Sequence, residues 1–159
     1  MEKERLTKAF VSALTVLLKE RGTELCAFMA QDAFSHMTMS VAHWHADLYW
    51  NLASRDDMEL EDVDDLDAEE FIILSDFERH KAINALMCHL EEVDQMESQD
   101  DDVTPQVMLI HEALAQALRH PDITQTIQTL AGDKEFDDLA DIIHVKDVDG
   151  AFRHNFLAG

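Results

Sequence analysis

The chain has 159 residues, 47% of them hydrophobic, and a formal net charge of -22 from 34 acidic and 12 basic side chains. The apolar share is enough for a core and excludes a wholly disordered acidic tail, and the length suits a single domain. The charge balance counts against direct binding of nucleic acid or anionic lipid, because both depend on Lys and Arg to neutralise phosphate.

With four Gly and two Pro, and with Ala, Leu, Glu, Gln and Met recurring, the local propensities sum towards helix. Leu6, Phe10, Ala13, Leu14 and Leu17 fall on one helical face, and Gly22, behind Lys19 and Arg21, stands where this first helix should end. Thr23 then caps a second helix through Leu25, Phe28, Met29 and Ala33 to about His36. The apolar run at residues 10–18 is too short to span a bilayer, follows Glu2 and Glu4, and precedes no small-residue cleavage pattern, so a cytoplasmic setting is expected. Cys26 and Cys88 make no zinc or redox motif at their separation and are expected as small buried apolar side chains.

Residues 37–52 carry two patterns. Met37, Met39, Val41 and His43 alternate as in a strand, while Ala42, Leu48 and Leu52 also suit a helix, and the segment is read as helix. Asp67 with Glu70, and Ser75 with Glu78, form two capping-box patterns. The second opens the strongest helix, with Phe77, His80, Ile83, Leu86, Met87, Leu90 and Val93 on its stripe and a fade into residues 95–102. Thr104 followed by Pro105 is a cap with proline at the first helical position, ahead of Val107, Ile110, Leu114, Ala117 and Leu118. His120 and Pro121 stop that helix. Ile123, Ile127 and Leu130 make a shorter one ending at Gly132, Asp133 caps another through Phe136, Leu139, Ile142 and Ile143, and Val148, Phe152 and Phe156 suggest a last amphipathic turn. The expected fold is all-α: residues 1–159 as one acidic, irregular helical bundle of about six to eight helices, without repeats or linkers.

No enzymatic constellation is present, and neither catalysis nor a cofactor is expected. There is no Gly-rich phosphate loop, G-x-S-x-G, HExxH or paired CxxC. His111 and Glu112 lack a second histidine at Ala115. Asp147, Asp149 and Gly150 match the middle of a calcium loop, but Val145 and Phe156 occupy its first and twelfth positions. Asp32/His36, His43/Asp47, Asp76/His80 and Asp141/His144 each place an acid about one helical turn from an imidazole. An alternative reading is therefore a helical-bundle metal-binding protein using His and Asp, with His43, His45, Asp76 and His80 as its candidates. Ordinary surface or core histidines are the favoured account. Trp44, Tyr49 and Trp50 form the densest aromatic spot, read as core packing ahead of a partner patch.

The charge is segregated. Residues 1–55 hold six acids and six bases, residues 56–102 hold 19 acids against Arg79 and Lys81, a net of -17, and residues 103–159 hold nine acids against four bases. The excess forms two clusters: Asp56, Asp57, Glu59, Glu61, Asp62, Asp64, Asp65, Asp67, Glu69 and Glu70, then Glu91, Glu92, Asp94, Glu97, Asp100, Asp101 and Asp102. Carboxylates at i, i+3 and i+4 of a helix have Cβ atoms about 5–6 Å apart, a spacing of the same order as that of phosphates along a strand. Such rows can occupy a groove built for DNA or RNA. In charge balance the chain resembles the small DNA-mimic inhibitors carried by phages and plasmids, a likeness of composition that assigns no residue a role. The expected function is non-enzymatic: these acids bind a basic, nucleic-acid-binding protein and inhibit it. An acidic scaffold or chaperone for a basic partner is a further alternative, and a merely solvated face is the plain one.

Overall fold

The computed structural model of the chain describes residues 2–30, 34–42, 47–54, 69–97, 104–132, 138–145 and 155–157. Its elements are α1 (Glu2–Met29), β1 (Phe34–Ala42), β2 (Asp47–Ser54), β3 (Glu69–Ile73), a 3-10 turn at Leu74–Phe77, α2 (Lys81–Glu97), α3 (Thr104–Leu118), α4 (Pro121–Ala131), a second 3-10 turn at Leu139–Asp141, and β4 (Ile143–Val145). The strands make one small sheet in the order β3-β2-β1-β4. Its first three strands are antiparallel, and the three-residue β4 joins β1 in parallel. The fold is thus mixed, with four α-helices and a sheet among the described residues, and the expected all-α bundle of six to eight helices is incorrect.

Residues 37–52 account for most of the difference. Met37, Met39 and Val41 of β1 pair with Leu52, Trp50 and Leu48 of β2, while Thr38 and Ser40 pair with Asn51 and Tyr49 on the opposite face. Met37, Met39 and Trp50 are fully buried. The period of two wins because it puts Met37, Met39, Val41, Leu48 and Trp50 together on a buried face. Leu48 and Leu52 did not discriminate: a spacing of four is close to one helical turn and is also an even number along a strand.

α1 runs unbroken for 28 residues, through Gly22 and Thr23, where one helix was expected to end and another to begin. Leu6, Phe10, Leu14, Leu17, Leu25 and Met29 form its buried stripe, and α1 packs against α2, α3 and α4. Gly22 is buried at the α4 crossing, where a Cβ would meet Leu130 Cδ2 at 3.5 Å, an ordinary contact distance. Gly22→Ala is therefore expected to stabilise the protein by about 0.5–1 kcal/mol, the usual gain on replacing glycine inside a helix. A melting temperature below that of the parent would show that α1 and α4 need the closer approach.

α2 begins at Lys81 rather than at Ser75, because Ser75 is bonded elsewhere, to Asp47, and residues 74–77 form a 3-10 turn without a side-chain cap. Glu70 of the other expected capping box lies in β3, opposite Asn51, and Asp67 is outside the described residues. The start of α3 at Thr104 and the break before Pro121 are as expected. At the break, His120 is the N-cap of α4, its Nδ1 accepting the Asp122 N–H at 3.3 Å, and Gly132 ends α4 at φ 63°. Of the helix expected from Asp133 to Ile143, residues 133–137 lie outside the described residues, and the remainder is a 3-10 turn capped by Asp138 and the start of strand β4, whose Ile143 and Val145 pair with Met37 and Met39. Val148 and Phe152 lie outside the described residues. The core collects the buried faces of α1, α2, α3 and α4 with Met37, Met39, Val41, Leu48, Trp50, Ile143 and Val145 of the sheet.

Candidate partner-binding surface

The structure distributes the two acidic clusters over different kinds of element. Glu69 and Glu70 are in β3, paired with Leu52 and Asn51 at one edge of the sheet. Glu91 and Glu92 are exposed on the second half of α2, with Asp94 and Glu97 further along the same helix. Asp56, Asp57, Glu59, Glu61, Asp62, Asp64, Asp65, Asp67, Asp100, Asp101 and Asp102 lie outside the described residues. The first cluster therefore leads into a strand, and the two do not flank a single helix that begins at Ser75. The described part of the second cluster is itself the C-terminal part of the 17-residue α2, a helix about 25 Å long at the usual rise per residue.

The position of the second cluster opposes helix stability. A helix carries partial negative charge at its C-terminal end, where carboxylates are unfavourable and Lys or Arg are favoured. The last turn of α2 has no basic residue. Like charges three residues apart in a helix, the spacing at which Glu91, Asp94 and Glu97 follow one another along α2, destabilise it by about 0.2–0.5 kcal/mol per pair. Elsewhere among the described residues several charges are matched. Lys3 meets Glu112 at 3.2 Å, Lys8 meets Glu4 at 3.7 Å, Arg21 meets Glu24, Arg79 meets Glu20 at 3.9 Å, and Arg119 meets Asp138 at 3.4 Å. All of these acids are outside the two clusters. Glu92 lies 3.8 Å from His89 Nδ1, a partner that is cationic only when protonated.

The two acid–histidine pairs with both members described, Asp76/His80 and Asp141/His144, do not lie together on a helix. His36 is in β1 and His144 in β4, their rings stacked with centroids 4.2 Å apart. His80 Nε2 is 3.3 Å from Glu20 of α1 rather than engaged with Asp76. Asp141 accepts the backbone N–H of Asp138 at 3.2 Å. Asp32, His43, Trp44 and His45 are outside the described residues. Among the described residues no three His, Cys, Asp or Glu side chains are grouped to hold a metal ion. Trp50 is core and Tyr49 is partly buried on the opposite face.

Cys26 and Cys88 are both free and exposed, against the expectation of burial. Because α1 continues past Gly22, its buried line passes through Leu25 and Met29 and leaves Cys26 outside. On α2 the line passes through Leu86 and Leu90 and leaves Cys88 outside.

Asp47, marked in the sequence only as a partner for His43, and His111, marked only by an incomplete HExxH pattern, are buried polar side chains with other roles. Asp47, 7% exposed, accepts the Leu48 and Ser75 N–H groups at 2.9 and 3.1 Å and the Ser75 hydroxyl at 2.8 Å, tying the start of β2 to the turn before α2. His111, 1% exposed, lies 2.8 Å through Nδ1 from the Val107 carbonyl, accepts the Val41 N–H at Nε2 at 3.4 Å, and stacks on Phe156. These contacts indicate the Nδ1–H tautomer. Its place on the stripe between Val107 and Leu114 marks it as buried. Nothing local marks Asp47, whose partner is 28 residues away.

Met108, 36% exposed, is the exposed large hydrophobic residue among the described ones, so no broad apolar anchor patch is present there. No helix among the described residues is long and apolar enough to cross a membrane. Compared with protein-family models, curated proteins and solved structures, the chain matches none.

Proposed function

We propose that this chain is a non-enzymatic, cytoplasmic binding protein whose acidic clusters occupy the nucleic-acid site of a basic protein and inhibit it. The observation that carries the reading is that four acids, Glu91, Glu92, Asp94 and Glu97, fall within the last seven residues of α2, two of them in its last turn. Side chains selected for stability would be reversed there. The scarcity of exposed apolar side chains among the described residues fits a contact held by charge. Spread of charge for solubility explains acidity in general but not its crowding into residues 56–102 beside a neutral first third.

The test displaces a fluorescent DNA duplex from each of a panel of purified basic nucleic-acid-binding proteins. The parent chain is expected to displace the duplex from at least one of them at low salt, with its affinity falling by orders of magnitude by about 0.2 M salt, while showing no affinity for the duplex itself. The variant Glu91→Gln, Glu92→Gln, Asp94→Asn, Glu97→Gln should melt higher than the parent yet inhibit at least about tenfold less, roughly 1.4 kcal/mol in binding. Asp62→Asn, Asp64→Asn, Asp65→Asn, Asp67→Asn should weaken inhibition similarly. Failure of the parent to displace the duplex from any panel member, or full inhibition by both variants, would remove the proposal.

A further inference from the structure

Parallel pairing of β4 with β1 brings together two imidazoles that lie far apart in the chain. β4 is three residues long, and its Ile143 and Val145 turn into the core beside Met37 and Met39. His144 is left for the opposite face, in register with Thr38. His36, two residues before Thr38 on β1, lies on that same face. Both histidines are partly exposed, and their rings stack with centroids 4.2 Å apart and planes 23° from parallel. The backbone that carries His144 is held from both sides. Towards β1 the Met37 N–H donates to the Ile142 carbonyl at 2.7 Å. On the other edge Asn155 Oδ1 accepts the Val145 N–H at 2.9 Å, and Asn155 Nδ2 donates to the Ile143 carbonyl at 3.2 Å.

We infer that His36 and His144 form a two-imidazole site for a divalent transition-metal ion of the nickel, copper and zinc group, with water completing its coordination. Neutral imidazole is a common ligand for these ions. At metal–nitrogen distances of about 2.0–2.1 Å, and at ligand angles between square and tetrahedral, two imidazoles sharing an ion have ring centroids about 4.5–5 Å apart. The stacked pair is within about 1 Å of that separation, and rotation about the soft χ2 torsions turns one nitrogen of each ring towards a common point. One nitrogen per ring is enough. The other is ordinarily hydrogen-bonded in metal-ligating histidines, which fixes the orientation of the ring. Two paired strands hold the ligands more firmly than loops would, so most of the ordering cost is met in the fold before metal arrives. Neither β1 nor β4 carries a residue of the acidic clusters, and the inference does not rest on the acidic-binding reading.

The experiment is equilibrium dialysis of the full chain against Ni2+ and, separately, Mg2+. A net charge of -22 draws any divalent cation to carboxylates, and Mg2+, which prefers oxygen ligands, measures that background. Ni2+ is expected to bind the parent at least about tenfold more tightly than Mg2+, and His36→Gln and His144→Gln are each expected to weaken Ni2+ binding by at least about tenfold. His89→Gln, on α2, should bind Ni2+ as the parent does. A second measurement needs no variant: substoichiometric paramagnetic Ni2+ should broaden the amide resonances of residues 36–38 and 143–145 in the parent before any others. Ni2+ binding no tighter than Mg2+, parental affinity in either the His36 or the His144 variant, or broadening centred on other residues such as His43 and His45 overturns the inference.

Discussion

Trp50→Ala should lower the unfolding free energy by about 3–5 kcal/mol, the usual cost of deleting a large buried aromatic side chain. Trp50 is fully buried on the inner face of β2, opposite Met39. Its indole Nε1–H donates to Met37 Sδ at 3.2 Å, so the polar end of the ring is satisfied inside the core. A small domain has about 5–15 kcal/mol in total, so the variant should unfold at much lower urea and lie close to partial unfolding at physiological temperature. Trp50→Phe keeps most of the apolar volume and loses the indole donor, and should cost clearly less. Urea titrations followed by far-ultraviolet circular dichroism read both. A change below about 1 kcal/mol for Trp50→Ala would place the residue outside a packed core.

Asp47→Ala should cost about 2–4 kcal/mol, because it removes a buried carboxylate that serves Ser75 twice and leaves the Ser75 N–H and hydroxyl without that acceptor. Asp47→Asn retains an oxygen for the N–H groups and an amide that can donate to the Ser75 hydroxyl, so its cost should be smaller. The contact can be isolated with Ser75→Ala in a double-mutant cycle, where a coupling of about 1.5–3 kcal/mol is expected for hydrogen bonds to a charged group. Strict additivity would mean that the β2 start and the turn before α2 are not joined through these two side chains. The junction matters to the proposed function because it holds β3 and α2, the two described carriers of the acidic clusters, in one frame.

The segregation of charge, the stripe of α2, the Thr104–Pro105 start of α3, the His120–Pro121 break and the Gly132 stop were all legible from the amino-acid order. These features are local. A helix satisfies its backbone within four residues, and its caps are side chains one turn away. The acidic surface was legible as composition, and its placement was not. That Glu69 and Glu70 would start an edge strand, and that Glu91 to Glu97 would occupy the negative end of a helix, depended on where the elements begin and end.

Tertiary structure alone decided the sheet and its consequences. Met37 takes β rather than helical geometry with partners at Leu52 and Ile143. Gly22 stays helical because Leu130 covers it from another helix. Ser75 lies inside a 3-10 turn rather than at a helix start, held there by its N–H and hydroxyl donating to Asp47, 28 residues earlier. In each case a local preference was weak or evenly divided, and a contact distant in the chain supplied the deciding free energy. Helical periodicity is encoded within a turn, whereas a strand is stable only with a neighbour whose identity and register no short window of the sequence contains.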